Sequence, residues 1–285
     1  AATAPDLAAW VVEKGAFPNS MVDCIVPATG PNEIAQAAAL GIGDGAPVTH
    51  ENFRQWVMEE RFCNGRPPWE QAGATITADV HAYEAMKIQM LNAGHQVLAN
   101  LGELLSLPTI DLCMAHPLVA AFFDRVQQTE IVPCVAPVPG MTPAAYLALI
   151  KRRFANPSIK DTTRRVAFDG SARHTGFVLP LVHEGLAAGR SIEGLCLVEA
   201  LWARMCAGTR ENGSAIAPND PHWDDLQRVA LTARDRPQAW LEQRRYYGDL
   251  ADNPQFAPTF AHWLSALWTD GCTVTVSRYL QLEER

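Results

Sequence analysis

No apolar run in these 285 residues approaches the roughly 20 that a helix needs to cross a bilayer, so a membrane-spanning role is not expected. Excess positive charge is also missing. Lys and Arg number 23 against 31 Asp and Glu, a formal net charge of −8, which argues against nucleic acid or an anionic membrane surface as a partner. The seven cysteines include no C-x-x-C pair, so no metal is expected, and each thiol reads as a small core residue in a reducing cytoplasm. No secretory leader opens the chain, which supports the same cytoplasmic expectation. No repeat of fixed period is visible. Strand and helix signals do not alternate, so a doubly wound parallel sheet is not expected.

What is present is mostly helix signal. "TAPDLAAWVVEKGAF" reads as a short helix started by a proline and capped by Thr3 or Asp6. "MVDCIVPAT" reads as a short strand ended by Pro27, and residues 272–277 as a second candidate strand. "GPNEIAQAAAL" is helical up to Gly41. "THENFRQWVMEERF" carries a capping-box arrangement at Thr49 or His50 and is expected to be helical. Further helices are expected over about 80–105, 117–128, 142–156, 180–206, 221–234, 236–248 and 256–268. The fold expected is mainly α: an irregular multi-helix substrate domain over 26–285, with one or two short strands. Residues 1–25 would belong to something else.

"GIGDG" at 41–45 looks like a phosphate loop but follows an alanine-rich helix instead of a strand, so it reads as a turn. The stretch "HAYEAMKIQMLNAGHQVLANLGELL", 81–105, raises a sharper question. On a helix, with Lys87 set at zero, Glu84 falls at about 60°, His95 at about 80° and Asn92 at about 140°. A lysine, an amide and an imidazole thus share one sector with Leu91 and Leu98. Gly94, about 20° from Lys87, would leave room beside the ammonium. Such a cluster fits a binding cleft; it also fits a snorkelling lysine and a satisfied core histidine. In "FANPSIKDTTRRVAFDGSARHTGFVLP", 154–180, a turn at Asp169-Gly170 leads to Arg173 and His174. These donors suit hydroxyls or a carboxylate, or a surface loop in which the arginine caps a neighbouring helix. Asn19, Ser20 and Asp23 surround the first strand, where turn chemistry alone accounts for polar residues.

Together these stretches resemble the long-chain mannitol dehydrogenase family of polyol dehydrogenases and uronate reductases. The matching pieces are "FPNSMVDCIVPAT", "ENFRQWVMEERFCNGRPPWEQAG", "MKIQMLNAGHQ" with its Lys-x4-Asn-x2-His spacing, and "NPSIKDTTRRVAFDGSARHTGFVLP", in the family's order over nearly the whole chain. The resemblance implies a zinc-independent alcohol oxidation that uses NAD or NADP. Lys87 would be the general base, with Asn92 and His95 holding the reacting oxygen. It implies a place for Val22 and Asp23 beside the nicotinamide, and substrate contacts from Asp23, Arg173 and His174. Cys24 stands where the family usually has arginine. Glu84, one turn before Lys87, is a candidate to tune it.

The resemblance also implies an N-terminal Rossmann domain as partner. The expectation is that this domain is missing, with 1–25 its residual edge, and that the chain alone is inactive. The substrate would be a mannitol-like polyol and its ketose. A uronate reductase for fructuronate or tagaturonate is the alternative within the family, and a non-catalytic helical binding or assembly module is the alternative outside it.

Overall fold

A computed structural model describes residues 3–282; the outer limits of the two expected segments, residues 1–2 and 283–285, lie outside the described residues. The chain divides into two compact units, Ala1–Lys87 and Ile88–Arg285. The unit that holds the first strand therefore runs well past residue 25.

In the first unit, the helix Pro5–Lys14 starts at its proline and leads to strand β1, Ser20–Asp23. The helix Pro31–Ala39 is capped by Glu33, whose carboxylate accepts the Gly30 amide at 2.8 Å. The next segment corrects the sequence reading. Residues expected to be helical form β2, Gln55–Glu59. β2 is the centre of a three-stranded sheet, antiparallel to β1 and parallel to β3, Thr75–Thr77. Trp56 and Val57 have the aromatic and β-branched shapes that pack on a pleated surface, and Val57 is completely buried. The capping signal is used differently: the Glu51 side chain accepts the Ile25 amide at 2.6 Å, so it pins the chain beyond β1 instead of opening a helix. The mainly α domain expected over 26–285 is therefore not what forms, since its first part belongs to a unit built on a three-stranded sheet, although helix dominates the chain.

The helix Val80–Met86 is capped by Asp79, which accepts the Ala82 amide at 3.1 Å. It passes into a π-helical stretch, Lys87–Asn92, and then into the helix Ala93–Leu104. The division between units falls inside this run.

The second unit is built on helices buried on every side, the mark of a core helix. All of Ala93–Leu104 and nearly all of Glu193–Cys206 are buried. Trp202, Trp240, Trp263 and Phe260 fill the space around them. Gly94 makes room for packing, not for a ligand. A Cβ there would meet Gln127 Nε2 at 2.6 Å and Phe123 Cε2 at 3.1 Å. Gly94→Ala is accordingly expected to cost about 1–3 kcal/mol through overpacking. Urea denaturation checks this, and an unchanged midpoint would contradict it.

Two further expectations are corrected here. The single helix over 180–206 is interrupted: Leu179–Ala187 ends at Gly189, whose φ of 64° favours glycine, and Glu193–Cys206 begins afresh. Residues 272–277 are helical, within the run Phe256–Leu280, which kinks at Gly271 (φ 80°, ψ 169°). The β-branched residues there suggest a strand, but Cys272, Thr275, Val276 and Tyr279 are buried at helical spacing.

The restarted helix Glu193–Cys206 is anchored by buried Glu130. One carboxylate oxygen accepts the Gly194 amide at 2.6 Å and the other accepts the Leu195 amide at 2.9 Å. Burial pushes this carboxyl up to about 7, against the pull of those two amides. Its ordinary value is 4.5, so between about 4.5 and 7 the folded state holds a proton that the unfolded chain has released. The stabilisation is complete below that window and is lost as pH rises through it. Over this range the wild-type unfolding free energy is expected to fall by on the order of 3 kcal/mol more than that of Glu130→Gln. Denaturation at both ends of the window tests this, and parallel pH dependence would contradict it.

Candidate active site

In the first unit, the Lys87 ammonium donates to the Val22 carbonyl of β1 at 2.5 Å. Lys87 itself is half-buried, and this exposed contact ties its charged end to the strand. Val22 exposes its side chain while the next residue, Asp23, is only 1% exposed. This follows from the alternation of a strand. Opposite Val22 in the ladder stands Trp56, also exposed, and directly paired residues lie on one face of a sheet. Glu84 Oε2 accepts from Asn19 Nδ2 at 3.2 Å and lies 2.8 Å from His81 Nδ1. Ser20 Oγ accepts the Trp56 indole N–H at 2.7 Å. The polar cluster at the start of β1 therefore joins the strand to a neighbouring helix and strand, beyond local turn chemistry.

In the second unit, Asn92 ends the π-helical stretch and is half-buried. His95 is buried and stacks on Phe154, with ring centroids 4.3 Å apart and planes 17° apart. Its Nε2 lies 4.0 Å from Asp161 Oδ2. Asp161 is buried and takes both Nε and Nη2 of Arg165, each at 2.6 Å. Arg173 donates through Nε to the Phe168 carbonyl at 2.6 Å. Burial lowers the pKa of Arg173, and Arg165 adds to that effect, while Asp169 and Asp161 oppose it. Asp161 and Arg165 were not singled out from the sequence, although an Asp–Arg pair at i and i+4 is a readable signal.

His174 follows Arg173 in sequence but sits in different surroundings. It is 0% exposed, stacks on Trp202 at 4.5 Å, and lies 2.7 Å from Glu199 Oε1 and 2.9 Å from Asn100 Nδ2. Tyr247 donates to the other Glu199 oxygen at 2.8 Å and receives the Trp240 indole N–H at 2.6 Å. The substrate contact expected of His174 is thus replaced by a core role: both ring nitrogens are engaged and no surface is offered. The sequence missed Glu199, Asn100 and Tyr247 because their meeting depends on helices far apart in the chain.

Among the described residues no group of three His, Cys, Asp or Glu side chains has the arrangement to hold a metal ion. No helix of the described residues is long and apolar enough to cross a membrane.

Half-buried Lys87 lies in the first unit; half-buried Asn92 and buried His95, with an Asp–Arg pair beside the histidine, lie in the second. The mannitol dehydrogenase C-terminal domain profile matches residues 79–268, and the mannitol dehydrogenase Rossmann domain profile matches residues 1–71. The chain belongs to the mannitol dehydrogenase family. It is 49% identical over 275 residues to mannitol 2-dehydrogenase of Cereibacter sphaeroides, covering 96% of this chain and 58% of that protein. The Aspergillus terreus mannitol 2-dehydrogenase is 33% identical, covering 97% and 56%. The chain thus spans little more than half the length of these relatives. Among solved structures, it resembles the Pseudomonas fluorescens mannitol 2-dehydrogenase ternary complex with NAD and D-mannitol. That match has a TM-score of 0.90 at 34% identity, covering 98% of this chain and 57% of the other. A substrate-free D-sorbitol dehydrogenase matches with a TM-score of 0.86 at 28% identity, covering 96% and 57%.

The Rossmann match corrects the expectation that this domain is missing. Sequence of that domain runs to residue 71 and not merely to 25, and it includes the three strands' first two members. Strand and helix signals do not alternate over this part of the chain and β2 carries a helix-like signal, so the sheet is hidden in the sequence.

Proposed function

We propose that this chain supplies the reacting side of an NAD-dependent polyol dehydrogenase that interconverts a mannitol-like sugar alcohol and its ketose. The observation that carries the reading is the Lys87 ammonium fixed on the Val22 carbonyl beside the buried Asp23. A base held by a strand backbone is positioned before substrate arrives, which is the condition for efficient proton transfer.

In this reading Lys87 removes the hydroxyl proton of the alcohol and returns it to the ketone in the reverse direction. Asn92 and His95 donate to the oxygen as negative charge develops on it. Arg173 contacts substrate hydroxyls, and Glu84 tunes Lys87 or passes on its proton. The exposed Val22 and Trp56 pair gives a flat apolar face that suits a nicotinamide ring, with Asp23 on the opposite face of the strand. When bound, the nicotinamide supplies the hydride acceptor.

The experiment is NAD-dependent oxidation of D-mannitol and NADH-dependent reduction of D-fructose by the full-length protein. Turnover of both is expected. Failure of both, in a folded protein, would overturn the reading and favour a non-catalytic helical module.

A further inference from the structure

We propose that Asp161 sets the charge of substrate that this site accepts: by occupying the Arg165 guanidinium through both Nε and Nη2, it suits the site to a neutral polyol or ketose and not to a carboxylate-bearing uronate. The inference rests on the polyol dehydrogenase reading and adds a specificity determinant to it.

The geometry is that of a filled receptor. Paired guanidinium nitrogens are the preferred partner of a carboxylate because two parallel N–H donors match its two oxygens. In this protein that match is made internally, at 2.6 Å to each oxygen. The Asp161 side chain is 4% exposed and that of Arg165 is 43% exposed. The guanidinium therefore faces outward while one of its two bidentate edges is occupied from within. An incoming carboxylate would have to displace a buried one, which would then lose its partner at high cost, or take the remaining edge of the guanidinium.

The surrounding charge points the same way. Arg173 interacts electrostatically with Arg165, Asp169 and Asp161, so two arginines are balanced by two aspartates. His95, 4.0 Å from Asp161, leaves that balance intact while its ring is neutral. Among these four groups the charges cancel, so they offer donors to hydroxyls without adding a cation of their own to the one Lys87 brings. A uronate site would want the opposite, a cation left uncompensated.

The test compares kcat/KM for NADH-dependent reduction of D-fructuronate and D-fructose by the full-length wild type and by Asp161→Asn. The wild type is expected to favour fructose by about tenfold or more, and the variant to shift the ratio towards fructuronate by about tenfold, the factor given by 1.4 kcal/mol. A purely structural lesion would lower both values together and leave the ratio unmoved, and that result would overturn the proposal. A wild type that prefers fructuronate would overturn it without any variant, so the proposal is decided even if Asp161→Asn does not fold. Absence of wild-type activity on either ketose would instead sink the dehydrogenase reading, and the proposal with it.

Discussion

Lys87→Ala is expected to lower kcat for NAD-dependent mannitol oxidation by the full-length protein about 10²–10⁴-fold, the usual contribution of a positioned general base. KM for mannitol should move far less, because Lys87 acts on a proton and not as the main anchor of the polyol. Lys87→Arg should be nearly as inactive, since a guanidinium keeps its proton throughout the working range. The fold should survive, because Lys87 is half-buried and its one described side-chain bond goes to a backbone carbonyl. Steady-state kinetics and far-UV circular dichroism on the same samples separate the two effects. A variant with kcat within threefold of wild type would remove Lys87 from the mechanism.

His174→Ala is expected to act in the opposite manner, through stability. The substitution leaves the Glu199 carboxylate in a fully buried site with Tyr247 as its remaining described donor. It also removes the ring stacked under Trp202 and the neighbour of Asn100 Nδ2. Leaving a buried hydrogen-bonding group without its partner costs about 1–3 kcal/mol, and the space left by the ring adds a cavity term. Urea denaturation at pH 7 measures the loss. A change below about 1 kcal/mol, accompanied by a raised KM for polyol, would return His174 to the role of substrate contact.

These two histidine and lysine outcomes show which parts of the site a sequence can carry. The helical run around Lys87 was legible because its apolar residues recur at helical spacing and its polar ones share a sector. The π-helical register of Lys87–Asn92 was not, since nothing in residue type distinguishes five-residue from four-residue hydrogen bonding. π-helical turns nevertheless gather at functional positions, and two more occur among the described residues, Gln127–Ile131 and His174–Val178. Arg173 and His174 are adjacent in "DGSARH", yet one donates to a local carbonyl and the other lies in the core. That separation comes from Glu199, Asn100 and Trp202, none of which is near in sequence.

The fold was less legible where local signals competed with distant ones. "ENFRQWVMEERF" carries charges at helical spacing, but Trp56 and Val57 are taken up by pairing with strands on both sides. "CTVTV" has strand-like residues, but its burial against the second unit's helices selects the helical alternative. In both cases tertiary burial overrode propensity, which differs among residues by only about 1 kcal/mol. Asp161 and Arg165 show the reverse: their spacing was readable, and their importance appeared only once His95 stood beside them.

The central claim, that Lys87 is the base of a polyol oxidation, is tested most directly by chemical rescue. Mannitol-dependent NAD reduction by full-length Lys87→Ala is measured with increasing methylamine. A saturable return of activity, absent when the same amine is added to wild type, is the result predicted. Wild-type rates in the variant without any amine would contradict the assignment.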